Sequence, residues 1–313
     1  MRSTAGARPF SLVGSALAGL MLSGGGFLLS KTKEQLRSLD LRARKGLGQH
    51  FLVDGRVLKR IVSAANLAAT DTVVEVGPGL GILTKELARR AGRVIAIELD
   101  PKLASALEQT LASVTNVTIV NADILETDPG AVIKKAEGDV ESRYKVVTNL
   151  PYYIASAVVR HFLEAGLKPE LMVITVQKEV AQAMVAKPGK MNLLSVSVQF
   201  YGKPAIVDYV LARSFYPAPK VDSAIVRIEV YDRPAVEVED VAQFFRVVRG
   251  GFAAPRKQLH NSLAQGLKVS AAEAAAVLQR AGISQERRAQ TLSLEEWARV
   301  CCVFSATALE EQC

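Results

Sequence analysis

A chain of 313 residues, 49% hydrophobic and 22% charged, is long enough to bury a large core with a smaller second unit, and too apolar to be a disordered or fibrous protein. The formal charge of +8 at pH 7 suits a polyanionic partner without requiring one. All three cysteines, Cys301, Cys302 and Cys313, lie near the C-terminus; with no CxxC pair and no histidine beside them, they argue against a metal site and for a reducing compartment.

From Phe10 to Ser30 there is no charged residue, two arginines precede the run, and the first acid is Glu34. Signal peptides, transit peptides and membrane anchors share that pattern. Gly14, Gly19 and the triplet Gly24-Gly25-Gly26 weigh against a spanning helix, since each costs about 1 kcal/mol of helix propensity relative to alanine. A targeting peptide and a poorly ordered extension, with Met21 as a second candidate start, remain open, and the expectation for residues 1–41 is the extension. From Lys31 to Arg44 the pattern turns polar and basic around Leu36, Leu39 and Leu41, which predicts a short helix or arm leading into the domain.

Lys45 to Leu52 is a glycine-containing loop that includes His50, and Asp54 to Ala65 follows as an amphipathic helix with Val57, Leu58, Ile61 and Val62 on its buried stripe. Thr72 to Val76 reads as a buried parallel strand, and Gly77-Pro78-Gly79-Leu80-Gly81 turns into a helix from Ile82 to about Arg90. Glycines let the backbone approach a ligand closely, and the helix start after them carries partial positive charge. The spacing is GxGxG rather than the dinucleotide GxGxxG. A second strand, Arg93 to Ile97, ends at Glu98, about 20 residues beyond the loop, where an acid that grips ribose hydroxyls is expected. Next come a helix over Pro101 to Leu111, a strand over Val117 to Val120, and Asp123 just past its end. Asp123 reads equally as an acceptor for an adenine amine and as the cap of the following turn. Glu75, Glu98 and Asp123, at or near the ends of successive strands, predict one ligand-binding edge.

Tyr144 to Thr148 is the next strand, and Asn149-Leu150-Pro151-Tyr152 closes it. That corner offers an amide oxygen, backbone carbonyls held in an extended turn by proline geometry, and an aromatic face, a set suited to a flat base carrying an exocyclic amine. If the Asn149 oxygen and the Leu150 carbonyl accept the two amine hydrogens, the nitrogen lone pair is aimed at an electrophile. Tyr152 would stack on the base. Phe215 reads either as a second stacking face or as a core aromatic.

These motifs in this order carry a resemblance. Glu75-Val76-Gly77-Pro78-Gly79, Glu98, Asp123 and Asn149-Leu150-Pro151-Tyr152 resemble a class I S-adenosylmethionine-dependent methyltransferase acting on the adenine amine. Gly48-Gln49-His50-Phe51-Leu52, Gln177-Lys178-Glu179-Val180 and the run from Phe215 to Ser223 are similar to the ribosomal RNA adenine dimethyltransferase family of the KsgA/RsmA type, over about Arg42 to Trp297. The resemblance implies an α/β fold, a Rossmann-like methyltransferase sheet with helices on both faces plus a small C-terminal all-α domain. It implies S-adenosylmethionine as cofactor, held by His50, Leu52, Gly77, Gly79, Glu98, Asp123 and Asn149, with Asn149, Leu150, Pro151, Tyr152 and Phe215 forming the catalytic corner. His50 departs from the asparagine of many members, as does Tyr153. The implied reaction is dimethylation of two adjacent adenines in the 3′-terminal stem-loop of 16S RNA, in an assembling 30S-type subunit, by a cytoplasmic monomer without an obligate protein partner. Two alternatives stay in view, a large-subunit methyltransferase of the macrolide-resistance type, which usually carries Ile in place of Leu150, and an assembly factor acting by binding.

Further along, helices or strands are expected at Ala155 to Glu164, Leu171 to Gln177, Val180 to Ala186, Ala205 to Leu211 and Ala224 to Val230, with a boundary near Tyr231 to Pro234. Helices follow at Val238 to Arg249, Gln258 to Gln265, Ala271 to Arg280 and Leu294 to Val300. Residues 246–288 hold eight Lys and Arg against two acids, which suits RNA phosphates as well as an ordinary solvated face. Arg256, Lys257 and Asn261 also match the family, and RNA contact is expected there. The expected division is an extension at 1–41, a methyltransferase domain at 42–231, a helical RNA-contacting domain at 234–303 and a tail at 304–313.

Overall fold

The computed structural model describes residues 24–39, 49–137 and 143–310. The loop from Lys45 to Gly48 and most of the apolar run from Phe10 lie outside the described residues. Among the described residues no helix is long and apolar enough to cross a membrane.

The first described element is α1 (Gly24–Ser38), a helix that takes in the first part of the short helix or arm expected from Lys31 and begins seven residues before it. The glycine triplet begins this helix rather than preventing it. Tertiary contact outweighs propensity here: Leu36 is buried in a small cluster with Leu80 and Leu103, and Leu28 lies where a Cβ on Gly55 would touch it at 3.6 Å.

A seven-stranded sheet follows, built from β2 (Thr72–Val76), β3 (Arg93–Glu98), β4 (Val117–Asn121), β5 (Tyr144–Asn149), β6 (Leu171–Gln177), β7 (Gly202–Val210) and β9 (Ser223–Val230). Its order is β4-β3-β2-β5-β6-β9-β7. The first five strands are parallel, and β9 and β7 close the sheet antiparallel. From β2 the chain steps outward through β3 to β4, then returns to place β5 on the other side of β2, so the connections diverge between β2 and β5. A ligand crevice is expected at that divergence, outside the carboxyl ends of the strands. Two further short strands, β1 (Phe51–Leu52) and β8 (Phe215–Tyr216), pair antiparallel outside the sheet, Phe51 opposite Tyr216 and Leu52 opposite Phe215.

Alternate strand residues feed opposite faces. Val73, Val94, Val147 and Val173 pack with α2 (Gly55–Ala64) and α3 (Ile82–Ala88), while Val74, Ile95, Val146 and Met172 pack with α6 (Ala155–Glu164) and its neighbours. Both faces are covered over the central strands β2, β3, β5 and β6, which are accordingly apolar runs without alternation, whereas the edge strand β7 alternates between buried and exposed residues. α4 (Pro101–Thr110) is capped by Asp100, which accepts from the Lys102 amide at 2.9 Å. The remaining helices before the boundary are α5 (Pro129–Glu137), α7 (Lys178–Met184) and α8 (Leu193–Tyr201).

Beyond the boundary come α9 (Val241–Phe252), α10 (Leu259–Leu267), α11 (Ala271–Arg280) and α12 (Leu294–Glu310). α12 runs past the expected end at Val300 and takes in most of the tail. α9 and α10 cross on glycines: a Cβ on Gly266 would sit 2.4 Å from the Gly250 Cα, and one on Gly251 would sit 2.2 Å from the fully buried Trp297 ring. These helices are not isolated from the sheet. Phe200 of α8 stacks on Phe244 of α9 with ring centroids 4.8 Å apart, and one hydrophobic cluster runs from Val74 through both rings to Trp297.

Candidate active site

The carboxyl ends of β2 and β5 are tied together by the Thr148 hydroxyl, which donates to the Val76 carbonyl at 2.6 Å. That bond places the glycine loop beside the Asn149 corner. Gly77 and Gly79 follow β2 with φ of +66° and +58°, a left-handed backbone that favours glycine. At Gly79 space is limiting as well, since a Cβ would come within 3.0 Å of the Phe51 ring. The loop therefore presents bare backbone under an aromatic wall.

Two adjoining hollows share Gln49, Gly77, Glu98 and Pro151 and form one cleft. On one side it is lined by His50, Phe51, Glu75, Gly79, Asn149 and Tyr152. On the other it reaches Leu99, Asp123, Leu125, Tyr153 and Ile154.

Glu98 ends β3 and is held by the backbone. One carboxylate oxygen accepts from the Gly79 amide at 3.1 Å and the other from the Asp100 amide at 3.0 Å. Burial pushes its pKa up, and those amides oppose the shift. Glu75 is fully buried on β2, and burial raises its carboxyl to about 8, with the charge of Glu98 adding to the shift. The Thr84 hydroxyl lies close enough to counter it, yet Glu75 Oε2 has no hydrogen-bond partner among the described residues. A buried carboxyl with an open oxygen, facing a ligand cleft, is a group waiting for a polar or cationic partner. Asp123 caps the turn after β4, one oxygen accepting from the Leu125 amide at 2.9 Å. It also lines the cleft, so serving as a cap does not take it away from the ligand side.

At the corner, Asn149 Nδ2 donates to the His50 carbonyl at 3.2 Å. A carbonyl can only accept, so this bond assigns the amide nitrogen to that side and leaves Oδ1 as the group facing elsewhere in the cleft. His50 is positioned in turn by Nδ1, which is 2.7 Å from the Pro217 carbonyl. Tyr152 places its hydroxyl 2.6 Å from Ser223 Oγ, with its ring 5.3 Å from the His50 ring. Burial raises the Tyr152 pKa, which keeps the phenol neutral. Leu150 turns its side chain into the core, as does Leu52, so each borders the cleft chiefly through backbone.

Phe215 is a correction. Its ring is 3% exposed and packs in the cluster with Leu52, Val57 and Val210, because pairing of β8 with β1 turns it inward. It offers no face to a base in this arrangement. Tyr216 beside it is half-buried against Phe51 and Leu36. Arg256, Lys257 and Asn261 are exposed together at the α9–α10 turn and the first turn of α10, well apart in sequence from the corner. The residues missed by sequence reasoning are Phe51 and Ser223. Both sit inside the quoted motifs, and only the β1–β8 pairing and the Tyr152 hydrogen bond reveal what they do.

A parallel sheet with a glycine loop at the divergence point, an acid gripping that loop from β3 and a polar corner on β5 define a class I, Rossmann-like methyltransferase. The sequence profile of the family described as Ribosomal RNA adenine dimethylase matches residues 40–301. The chain is 51% identical over 288 residues to the Ribosomal RNA small subunit methyltransferase A of Dehalococcoides mccartyi, covering 92% of this chain and 97% of that protein. It is 44% identical to the protein of the same name from Moorella thermoacetica, covering 86% and 95%. Among solved structures, the 23S rRNA methyltransferase ErmE is similar at 31% identity and a TM-score of 0.62, covering 82% of this chain and 99% of that one. The chain belongs to the ribosomal RNA adenine dimethylase family.

Proposed function

We propose that this protein transfers methyl groups to the exocyclic amines of two adjacent adenines in the 3′-terminal stem-loop of small-subunit ribosomal RNA, with S-adenosylmethionine as donor. The observation that carries the reading is the Asn149 amide, whose nitrogen is committed to His50 and whose oxygen is thereby left for an amine hydrogen. The donor fits the residues present. The bare Gly77–Gly79 backbone leaves room for it, the backbone-held Glu98 carboxylate suits ribose hydroxyls, and the open oxygen of Glu75 is a partner in waiting. In this reading Glu98 holds the ribose, Asp123 the adenine amine, and Gly77, Gly79 and Asn149 with the backbone of His50 and Leu52 the remainder.

S-adenosylmethionine, when bound, supplies a methyl group already activated by a sulfonium. The chain's own work is positioning. An adenine amine is a weak nucleophile because its lone pair is delocalised into the ring. Asn149 Oδ1 and a carbonyl of the Leu150–Pro151 backbone accept its two hydrogens and draw the nitrogen towards tetrahedral geometry. Tyr152, fixed through Ser223, supplies the stacking face. Neither Asn149 nor a neutral Tyr152 is a base at pH 7, so the amine proton leaves to water once transfer has made the nitrogen acidic. Arg256, Lys257 and Asn261 contact RNA away from the corner. We place the protein in the cytoplasm, acting as a monomer on an assembling small subunit, with the helical unit at 234–303 as its RNA-contacting part.

The test is incubation of the protein and labelled S-adenosylmethionine with under-methylated small subunits and, separately, with large-subunit RNA, alongside Asn149→Ala. Dimethyladenine near the 3′ end of the small-subunit RNA, absent with the variant, is the expected result. Label confined to large-subunit RNA would overturn it.

A further inference from the structure

The two antiparallel strands that finish the sheet bring a group of side chains to its ligand edge that the reaction above does not use. Ser223 bonds Tyr152 and stands opposite Gln177 on one side and Val210 on the other. One residue further, Tyr209 is about half exposed, as are Leu211 and Val221 nearby. Asp222 joins these pieces, its carbonyl accepting from the Lys178 amide at 3.0 Å and its carboxylate from the Ala212 amide at 2.9 Å. The patch is thus joined to the corner through Ser223 and Asp222, with Tyr209 on β7 three strand spacings from Asn149 on β5, roughly 14 Å.

Its chemistry is aromatic and cationic. The Lys178 ammonium lies 5.4 Å from the centre of the Tyr209 ring. Lys178, Arg213 and Lys220 are all exposed and none forms an ion pair among the described residues. The neighbouring acids leave the cations in excess: Asp208 pairs with Arg60, while Asp222, which accepts from the Ala212 amide, and the exposed Glu179 stand against three cations. A second copy of the chain is a poor occupant, because β7 is an edge strand already interrupted by a bulge between Ile206 and Asp208 and by Pro204, devices that block strand-to-strand pairing. An exposed ring among unpaired cations is instead the surface on which unpaired nucleotides stack while their phosphates are neutralised.

We propose that Tyr209, flanked by Lys178, Arg213 and Lys220, stacks an unpaired nucleotide of the RNA lying next to the adenine presented to Asn149. The site rests on the methyl-transfer reading for its orientation and makes Tyr209 a determinant of which single-stranded sequence is accepted.

The test compares wild type, Tyr209→Ala and Tyr209→Phe with under-methylated small subunits as substrate. It also photo-cross-links each to small-subunit RNA carrying 4-thiouridine and maps the adducts by mass spectrometry. Tyr209→Ala is expected to raise KM for the subunits about tenfold, with the effect in KM rather than kcat, unchanged affinity for S-adenosylmethionine and an unchanged melting temperature. Tyr209→Phe, which keeps the ring, should behave as wild type, and adducts should map to residues 209–213. Unchanged KM in Tyr209→Ala, or adducts only elsewhere, would overturn the site while leaving the reaction standing. Cross-linking at Tyr209 without transfer would uphold the site and sink the reaction. A dimer in solution that Tyr209→Ala dissociates would show the patch to be a self-association surface and overturn the proposal.

Discussion

At the scale of single residues, the cleft is built from polar groups whose partners are mostly backbone. Asn149 illustrates the consequence: its amide is oriented by a carbonyl nearly 100 positions earlier in the chain, so Asn149→Ala removes an acceptor and also an anchor for the His50 segment. We expect transfer to fall by at least a hundredfold in single-turnover assays, comparable to loss of a preorganised hydrogen-bonding group, with a much smaller change in cofactor affinity measured by calorimetry. Glu98→Ala should show the opposite split, weakening cofactor binding by one to two orders of magnitude, since the carboxylate proposed to hold the ribose goes together with its charge-assisted contacts to the Gly79 and Asp100 amides. Glu75 makes a pH prediction. The folded chain holds this proton up to about 8, whereas the unfolded chain releases it near 4.5. Between those values the folded state binds more protons than the unfolded, so stability from this group is full below about 4.5 and is lost as pH rises through about 8. The melting temperature of the cofactor-free protein should decline across that window, and Glu75→Gln should flatten the decline; a parallel curve for the variant would refute the assignment.

At the scale of elements, the parallel strands were legible because being buried on both faces writes them as short apolar runs. β6 and α6 begin and end where expected, and α2 buries the four residues on its predicted stripe. α8 was not legible. Its sequence, Leu-Leu-Ser-Val-Ser-Val-Gln-Phe-Tyr, alternates like a strand, and most of its residues are buried, so it has no polar face to reveal a helical period. What marks it is the cap, where Asn192 and Ser195 bond each other's backbone amides. The two-residue strands β1 and β8 carry no period at all, which is why Phe215 read ambiguously as a stacking face. Its inward turn is a fact of pairing with Leu52, 163 positions earlier in the chain, not of local sequence. α1 was legible in part: a short helix was expected from Lys31, and it begins earlier, at Gly24, where the docking of Leu36 outweighs the glycines. The glycines in the second unit give a prediction at this scale. Gly251→Ala drives a methyl group into Trp297, and overpacking of that kind costs about 1–3 kcal/mol; the denaturation midpoint should drop accordingly while affinity for S-adenosylmethionine stays the same.

For the whole molecule, two regions of exposed cations bear on the proposed substrate, the patch beside the corner and the α9–α10 turn with Arg256 and Lys257. If the second region neutralises phosphates, affinity for small subunits should fall steeply with salt, and replacing Arg256 or Lys257 by alanine should lower the slope of log affinity against log salt by about 0.7–0.9 each. A slope unchanged in both variants would show that turn to be an ordinary solvated face. The unbroken cluster from Val74 to Trp297 sets how this surface is held: the helices are packed on the sheet by Phe200 and Phe244, so both regions are carried on one packed frame.

The pairing of Phe51 with Tyr216 also bears on the order in which the molecule comes into being. A growing polypeptide that has emerged only as far as β6 already carries the glycine loop, Glu75, Glu98, Asp123 and Asn149. It lacks the strand that turns Phe51 over Gly79, the carbonyl of Pro217 that steadies His50, and the hydroxyl of Ser223 that fixes Tyr152. The cleft is therefore finished late in translation, and a product cut short before Phe215 should fold much of its sheet yet bind S-adenosylmethionine poorly, a difference that equilibrium dialysis of the truncated chain would measure.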